Sequence, residues 1–417
     1  MRYSQLFGKT SKTAPADADS VNAQLLTKGG FIAKQMAGVY NYLPLGLRVL
    51  TKIQNIIREE MNAIGGNEIL MPALTLEESY KETGRDVVLA DILFKSEGRD
   101  GSKMVLNPTC EEVITPLVKK FVFSHRDLPL AVYQIQNKFR NEPRAKSGLL
   151  RGREFNMKDL YSFHKDENDL NEYYEKAKQA YFNIYNRVGL GDITVLTYAS
   201  GGAFSKYSHE FQTLTDIGED TIYLCEKCKV AVNKEIIDEQ KACPSCGNKK
   251  LIEQKAVEVG NIFKLRTKFS DAFSFYYADE NGKQKIVEMG TYGIGPSRLM
   301  GALVEVFHDD KGIIWPEAVA PYQYHLLTIG KEAEAAKAGE KLYADLLKKD
   351  TEVLYDDRDA SPGAKLADAD LLGIPTRLVI SKKTLEKNSV EVKKRNEKEA
   401  KLVALSVIAS EAKQSQT

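Results

Sequence analysis

The sequence contains no apolar run approaching the roughly 20 residues of a membrane span. Its start, MRYSQLFGKTSK, also lacks the apolar core of a secretory signal. These absences point to a soluble chain in the cytoplasm, although the first acidic residue is Asp17, a composition that an organellar transit segment shares. Charge of neither sign is in excess: 59 Lys and Arg stand against 58 Asp and Glu. Any nucleic-acid partner must therefore be met by a local patch rather than by the field of the whole protein. Two nucleotide-binding signatures are missing. There is no Walker sequence, and the glycine-rich GTYGIG at 290–295 is not the G-x-G-x-x-G of a dinucleotide fold. Cysteine is scarce, five residues in 417, and four of the five fall in two C-x-x-C pairs. What remains is an ordinary globular composition, 43% hydrophobic, long enough for two or three domains with a full core.

The most informative stretch is Lys138 to His164, KFRNEPRAKSGLLRGREFNMKDLYSFH. It reads as two antiparallel strands, Ala131 to Arg140 and Phe155 to Phe163, joined by a polar Pro/Gly segment. With a period of two, Gln134, Gln136, Lys138 and Arg140 share one face, continued by Glu142, while Tyr133, Ile135 and Phe139 point the other way. Arg151, Phe155 and Asp159, four apart, also share a face. Two arginines, an acid and an aromatic ring over one floor suit an anion and a flat ring; a solvated face with cross-paired charges is the alternative. The pattern Phe-Arg-x-Glu, loop, Arg-x-x-x-Phe-x-x-x-Asp resembles the second signature motif of class II aminoacyl-tRNA synthetases. The runs FRNEPR and REFNMKDLYSFH are most similar to prolyl-tRNA synthetases of bacterial type, and MRYSQLF resembles the ordinary beginning of that family.

Companion parts occur in order. Leu45 to Ile64 carries apolar residues mostly three or four apart and ends at Gly65-Gly66, a helix followed by a strand Glu68 to Met71 that meets Pro72. Periodicity alone makes it an amphipathic helix packed on its own domain; the resemblance makes it the first class II motif and implies a homodimer. At Asn107 to Glu112, NPTCEE, a turn leads into a helix through Val113 to Val122. The arrangement is that of a helix cap; read as extended, it turns Thr109 and Glu111 the same way, and the carboxylate accepts both hydrogens of a secondary ammonium. The resemblance gives this loop the amino group of L-proline. A catalytic thiol at Cys110 has no evident base beside it. Leu170 to Val188 reads as a helix. The Gly-rich SGGAFSKYSHEF, 200–211, leads to His209, which is either a structural hydrogen-bonder or, by the resemblance, part of the proline pocket.

Cys225-x-x-Cys228 and Cys243-x-x-Cys246 are separated by fourteen residues. Two thiolate pairs at this spacing close a tetrahedral Zn2+ site; two redox disulfides are the competing reading. Four sulfurs leave no open position, so such a zinc is structural. Many bacterial members of the family carry a large editing domain between the second and third motifs, and the stretch from Asp220 to Glu258 is too short for it. The expectation is a chain that does not hydrolyse alanyl-tRNA(Pro) and relies on a separate deacylase or tolerates the error.

Glu258 to Leu265 and Lys285 to Met289 read as strands, leading through the glycines to Pro296 in a first helical turn and to Arg298. A cation near a helix N-terminus opposes the dipole and calls for an anion, a local carboxylate or a ligand. The resemblance to the third class II motif places Arg298 over adenine and the γ-phosphate. Beyond Trp315 to Pro321 the order is strand Tyr324 to Ile329, helix Glu332 to Leu347, strand Val353 to Tyr355, helix Ala364 to Leu372 and strand Thr376 to Ile380, a small α/β domain. LYDDRDASPGAKLADADLLGIP resembles the anticodon-binding domain of this synthetase group, with Asp356, Asp357 and Arg358 as candidate base readers. Between Lys382 and Lys401 eight basic residues face four acidic ones, a patch for phosphates or a solvated helix face.

The fold implied is α+β: an antiparallel sheet flanked by helices in residues 1–219 and 258–320, a zinc-ribbon-like insertion at 220–257, an α/β anticodon-binding domain at 321–409 and a disordered tail at 410–417. The activity implied is ligation of L-proline to tRNA(Pro) by way of prolyl-adenylate, with ATP and Mg2+. In it Thr109, Glu111 and His209 hold proline, Arg140 meets the carboxylate and the α-phosphate, Glu142 and Phe155 hold adenine, and Arg151 and Arg298 grip the outer phosphates. A synthetase for threonine or serine shares the ATP site, and a non-catalytic synthetase-like protein is the other alternative.

Overall fold

The computed structural model describes residues 1–330 and 332–411. They form two compact units. One comprises residues 36–39 and 53–302, the other residues 1–35, 40–52 and the chain from 303 onward. The first 35 residues, expected with the N-terminal part, thus pack with the C-terminal part.

The larger unit is built on a nine-stranded sheet. Its strands are β1 (Asn67–Glu68), β2 (Leu130–Phe139), β3 (Glu154–His164), β4 (Thr194–Ser200), β5 (Tyr207–Leu214), β6 (Asp220–Leu224), β7 (Val230–Asn233), β8 (Ile252–Arg266) and β9 (Glu288–Ile294), in the order β5-β4-β7-β6-β8-β9-β3-β2-β1. The central pairs β2/β3, β3/β9 and β9/β8 are antiparallel. β8 is long enough to pair with β6 along 252–256 and with β5 along 256–262. Helix α1 (Pro44–Ala63) is divided between the units at residue 52, α2 (Glu111–Val118) and α3 (Glu167–Val188) belong to the larger one, and α4 (Pro296–Val306) is divided at residue 302.

One face of the sheet is covered by α3, whose first turn is capped by the Asp166 carboxylate and whose end is set by Gly189 in the left-handed region. Its Tyr174, Tyr181 and Tyr185 pack on Phe211 of β5 and Tyr292 of β9. The other face carries the polar side chains of the predicted hairpin, and there the candidate site lies.

Several sequence readings need correction. The strand expected at 68–71 is only Asn67–Glu68, because Pro72 follows closely and one further bond, Ile69 N to Tyr133 O, ends the ladder. The strand expected at 285–289 lies further on: β9 runs through the glycines, from Glu288 to Ile294, in the middle of the sheet. The expected insertion at 220–257 is not an appendage: β6 and β7 belong to the large sheet, and Cys225 to Cys228 is the turn between them.

In the smaller unit a five-stranded sheet holds β10 (Tyr324–Thr328), β11 (Val353–Asp356), β12 (Thr376–Ile380), β13 (Ser389–Lys394) and β14 (Lys401–Ala404), in the order β11-β10-β12-β13-β14. Helices α5 (Ala333–Leu347) and α6 (Pro362–Leu372) lie between its first strands in the chain. The basic run 382–401, read as a phosphate patch or a solvated helix face, is a short helix Lys382–Leu385, strand β13 and the turn into β14, and Arg395 and Lys394 are spent on Asp309 and Glu317. The tail expected to be disordered lies, from residue 412 on, outside the described residues.

Candidate active site

Antiparallel register brings one residue from each of five strands into a row across the open face: Glu210, Asn261, Gly293, Asp159 and Gln134. A bulge at Val259, where Phe211 pairs with Gly260 but Gln212 with Glu258, turns Glu258 to the same face. Alternation does the rest. Arg140 and Lys138 of the β2 edge, Phe155 and Met157 of β3 and Thr291 of β9 stand over the same floor as the row.

Three compartments meet there, and Arg140 lines all of them. The inner one, about 260 Å3, is walled by Thr109, Glu111, Phe155, Met157, Asp159, Phe204, Asn261, Thr291 and Arg298. Its floor is Gly293, whose position for a Cβ has no neighbour nearer than 3.9 Å, so glycine keeps that floor low. A second compartment of about 270 Å3 holds Glu142, Arg151, Glu219, Asp220, Glu258 and Arg298. The third, about 570 Å3, opens outward past Arg85, Phe204, Lys206 and Glu210.

Glu111 is held on three sides. Thr109 Oγ1 donates to its Oε2 at 2.6 Å, Arg85 Nη1 donates to the same oxygen at 3.0 Å, and Thr291 Oγ1 donates to its Oε1 at 3.1 Å. Arg85 also reaches Glu112 at 3.1 Å, and its guanidinium lies 4.6 Å from the ring centre of Phe204, which walls the pocket. Beside the floor Asp159 pairs with Lys138 at 2.9 Å and accepts from Gln134 and Tyr161. Cys110 is fully buried and burial pushes its thiol far up, which leaves it no nucleophilic role.

Arg140 contrasts with this satisfaction. Its guanidinium lies 5.2 Å from the Phe155 ring centre, its Nε is buried without a hydrogen-bond partner, and no carboxylate stands within ion-pair distance among the described residues. Burial, and then the like charge of Arg298, pull its pKa down. A half-buried cation without an ion-pair partner is suited to hold an anion. Arg298 is held by the carbonyls of Leu150 and Glu258 and by the Glu258 carboxylate at 3.3 Å, the local anion foreseen as one option. Arg151 pairs with Glu142 at 2.8 Å.

Of the sequence candidates, Thr109, Glu111, Arg140, Glu142, Arg151, Phe155 and Arg298 converge on these compartments. His209 does not. Glu210, the next residue in β5, faces the site, while His209 points to α3, its Nδ1 2.7 Å from Tyr174 Oη and its ring against Tyr198. Asp356, Asp357 and Arg358 are not free to read bases either. Asp356 is fully buried and pairs with Arg358, which also binds Asp368 and stacks on Tyr3, while Asp357 accepts from Ser4 N and Oγ. They tether the N-terminal segment, because a buried carboxylate must be paired. Sequence reasoning missed Arg85, Glu210, Glu258 and Asn261. The alternation in SHEF would have selected Glu210, whereas nothing local marks Arg85 or the bulge.

The four paired cysteines converge, their sulfurs all within 4.8 Å of one another. Tetrahedral Zn–S bonds of about 2.3 Å require edges of roughly 3.8 Å. The Cys225 to Cys246 separation of 3.7 Å and the Cys228 to Cys243 separation of 3.2 Å suit that donor set.

The model of the tRNA synthetase class II core domain (G, H, P, S and T) matches residues 94–307, and that of an anticodon binding domain matches residues 322–415. The proline–tRNA ligase of Ehrlichia chaffeensis is 40% identical over 420 residues, covering 97% of this chain and 98% of the relative. This chain belongs to the class II prolyl-tRNA synthetases. The proline–tRNA ligase of Dehalococcoides mccartyi (strain 195) is 34% identical over 557 aligned positions, covering 98% of each chain, so that family member carries residues this one lacks. The family fold is shared with a prolyl-tRNA synthetase from Cryptosporidium parvum, solved with L-proline and AMP, at a TM-score of 0.74 and 20% identity over 93% of this chain and 76% of the other.

Proposed function

We propose that this chain activates L-proline with ATP to prolyl-adenylate and transfers the prolyl group to tRNA(Pro). The observation that carries the reading is the uncompensated Arg140 between a compartment with a fixed carboxylate and one lined by further arginines. The secondary ammonium of proline would sit against Thr109 and Glu111. The proline carboxylate attacks the α-phosphate in line; the bond to the β-phosphate breaks and pyrophosphate leaves. Arg140 neutralises the charge that grows on the α-phosphate, Phe155 stacks on adenine beside Glu142, and Arg151 and Arg298 hold the outer phosphates. Positioning and fixed charge supply the rate without a covalent nucleophile. Magnesium would accompany ATP, its hard charge suited to the carboxylates of Glu142, Glu219, Asp220 and Glu258.

Four further readings belong to this proposal. Zinc held by Cys225, Cys228, Cys243 and Cys246 would clamp the β6–β7 turn. A homodimer would cover Leu70, 76% exposed just past the edge strand β1, and Phe121 and Phe123, each 68% exposed. Editing would be absent, as the shorter alignment with the Ehrlichia relative than with the Dehalococcoides one supports, which leaves alanyl-tRNA(Pro) to a separate deacylase. The cytoplasm is the proposed location.

Amino-acid-dependent exchange of pyrophosphate into ATP tests the reading. Proline is expected to drive it best, with a smaller signal from alanine; equal exchange with threonine or serine, or none from a folded protein, refutes it. Hydrolysis of alanyl-tRNA(Pro) by the pure protein would refute the absence of editing.

A further inference from the structure

Among the described residues, most acids of the inner and second compartments have cation partners, whereas Glu210 and Asp220, which share the Gln212 amide, have none. Glu111 is held by Arg85, Asp159 by Lys138, Glu142 by Arg151 and Glu258 by Arg298. Glu210 has only amides: Gln212 Nε2 at 2.9 Å and Asn233 Nδ2 at 3.0 Å donate to Oε2, and Asn261 Nδ2 donates to Oε1 at 3.4 Å. The residue is 8% exposed, yet it lines the outer compartment, which shares Thr109, Arg140, Phe204, Asn261 and Phe263 with the inner one. The other acids lining that compartment, Glu235 and Glu239, are exposed.

We infer that Glu210 is a catalytic residue of the second step, the group that takes the proton from the terminal ribose hydroxyl of tRNA. The inference rests on the ligase reading above. With the prolyl end of the adenylate in the inner compartment and its nucleotide toward the second, the hydroxyl approaches the prolyl carbonyl from the outer one. The hydroxyl oxygen attacks the carbonyl carbon and its proton passes to Glu210 Oε1, the oxygen with the longer amide contact. The bond from the carbonyl carbon to the phosphate oxygen then breaks, and the electron pair leaves with AMP. The proton departs to solvent through the open compartment.

The surroundings fit a proton acceptor working near neutrality. Burial first, then Glu258 and Asp220, push the Glu210 carboxyl up to about 8, against the pull of Gln212 and Asn233. Arg85, Arg140 and Lys206 face the same compartment from other elements, as do Tyr207, Glu235 and Glu239. Since the carboxylate is the active form, transfer should accelerate as pH rises through about 8.

The decisive variant is Glu210→Gln, which retains size and burial. Proline-dependent pyrophosphate exchange should stay within twofold of the parent. Single-turnover transfer from preformed adenylate to tRNA(Pro) should fall by about 100-fold and lose its rise with pH. Glu210→Asp, which keeps the acid, should recover part of the rate. Unchanged transfer overturns the inference, as does an equal fall in exchange and transfer, which marks a structural role. Absence of exchange in the parent protein would instead sink the ligase reading itself.

Discussion

Replacing Arg85 with methionine removes one guanidinium that serves two buried carboxylates. Arg85, Glu111 and Glu112 are 1%, 0% and 1% exposed, so solvent does not screen the loss. Breaking a buried pair on one side costs about 3–5 kcal/mol because the remaining charge is stranded. The contacts to Phe204 and Phe269 add about 0.5–2 kcal/mol, partly replaced by the methionine chain. A net loss of about 4 kcal/mol is expected from the urea midpoint at constant m. Burial already pushes the Glu112 carboxyl up, and removing Arg85 pushes it further. For an acid whose folded pKa is raised, the native state binds more protons than the unfolded one, so stability falls as pH rises through the folded value. The deficit of Arg85→Met should therefore shrink toward the unfolded glutamate range near pH 4, and Glu112→Gln in the same chain should relieve part of it. The reasoning fails if Arg85→Met loses less than about 1 kcal/mol, or if Glu112→Gln deepens the loss instead of relieving it.

Other perturbations separate the two faces of the sheet. His209→Ala should lower stability by about 1–2 kcal/mol through the lost Tyr174 bond while leaving the KM for proline within twofold; a large rise in KM would put His209 back in the pocket. Gly260→Ala should destabilise by about 1–3 kcal/mol, since a Cβ there meets Tyr185 Oη at 2.3 Å. Gly293→Ala should keep its melting temperature but raise the KM for proline by filling the floor, and equal melting temperatures for the two variants would refute the assignment of faces. Metal analysis should find one zinc per chain, lost together with order at β6 and β7 in Cys243→Ser; a zinc-free chain with native melting behaviour would exclude the clamp.

Much of this protein was legible before folding was considered. The alternation in 131–140 and 155–163 placed Arg140, Phe155 and Asp159 over one floor because the side-chain period of a strand is a local property. Helix α1 followed from spacing and a Gly-Gly stop, and the cysteine pairs from ligand chemistry. Residues whose meaning depends on a distant partner were not legible. Arg85 acquires its role from Glu111 and Glu112, and Glu258 from a bulge that only pairing with β5 reveals. His209 was misplaced by one residue, enough in a strand to send a side chain through the sheet. Asp356 and Arg358 looked like free readers until Tyr3 and Asp368 were found against Arg358. The sequence by itself thus determined the central hairpin, the long helices and the chemical types available to the site. Tertiary structure decided which charges stay unpaired, since desolvation and neutralisation depend on which elements meet, and an unpaired charge is what a substrate is drawn to.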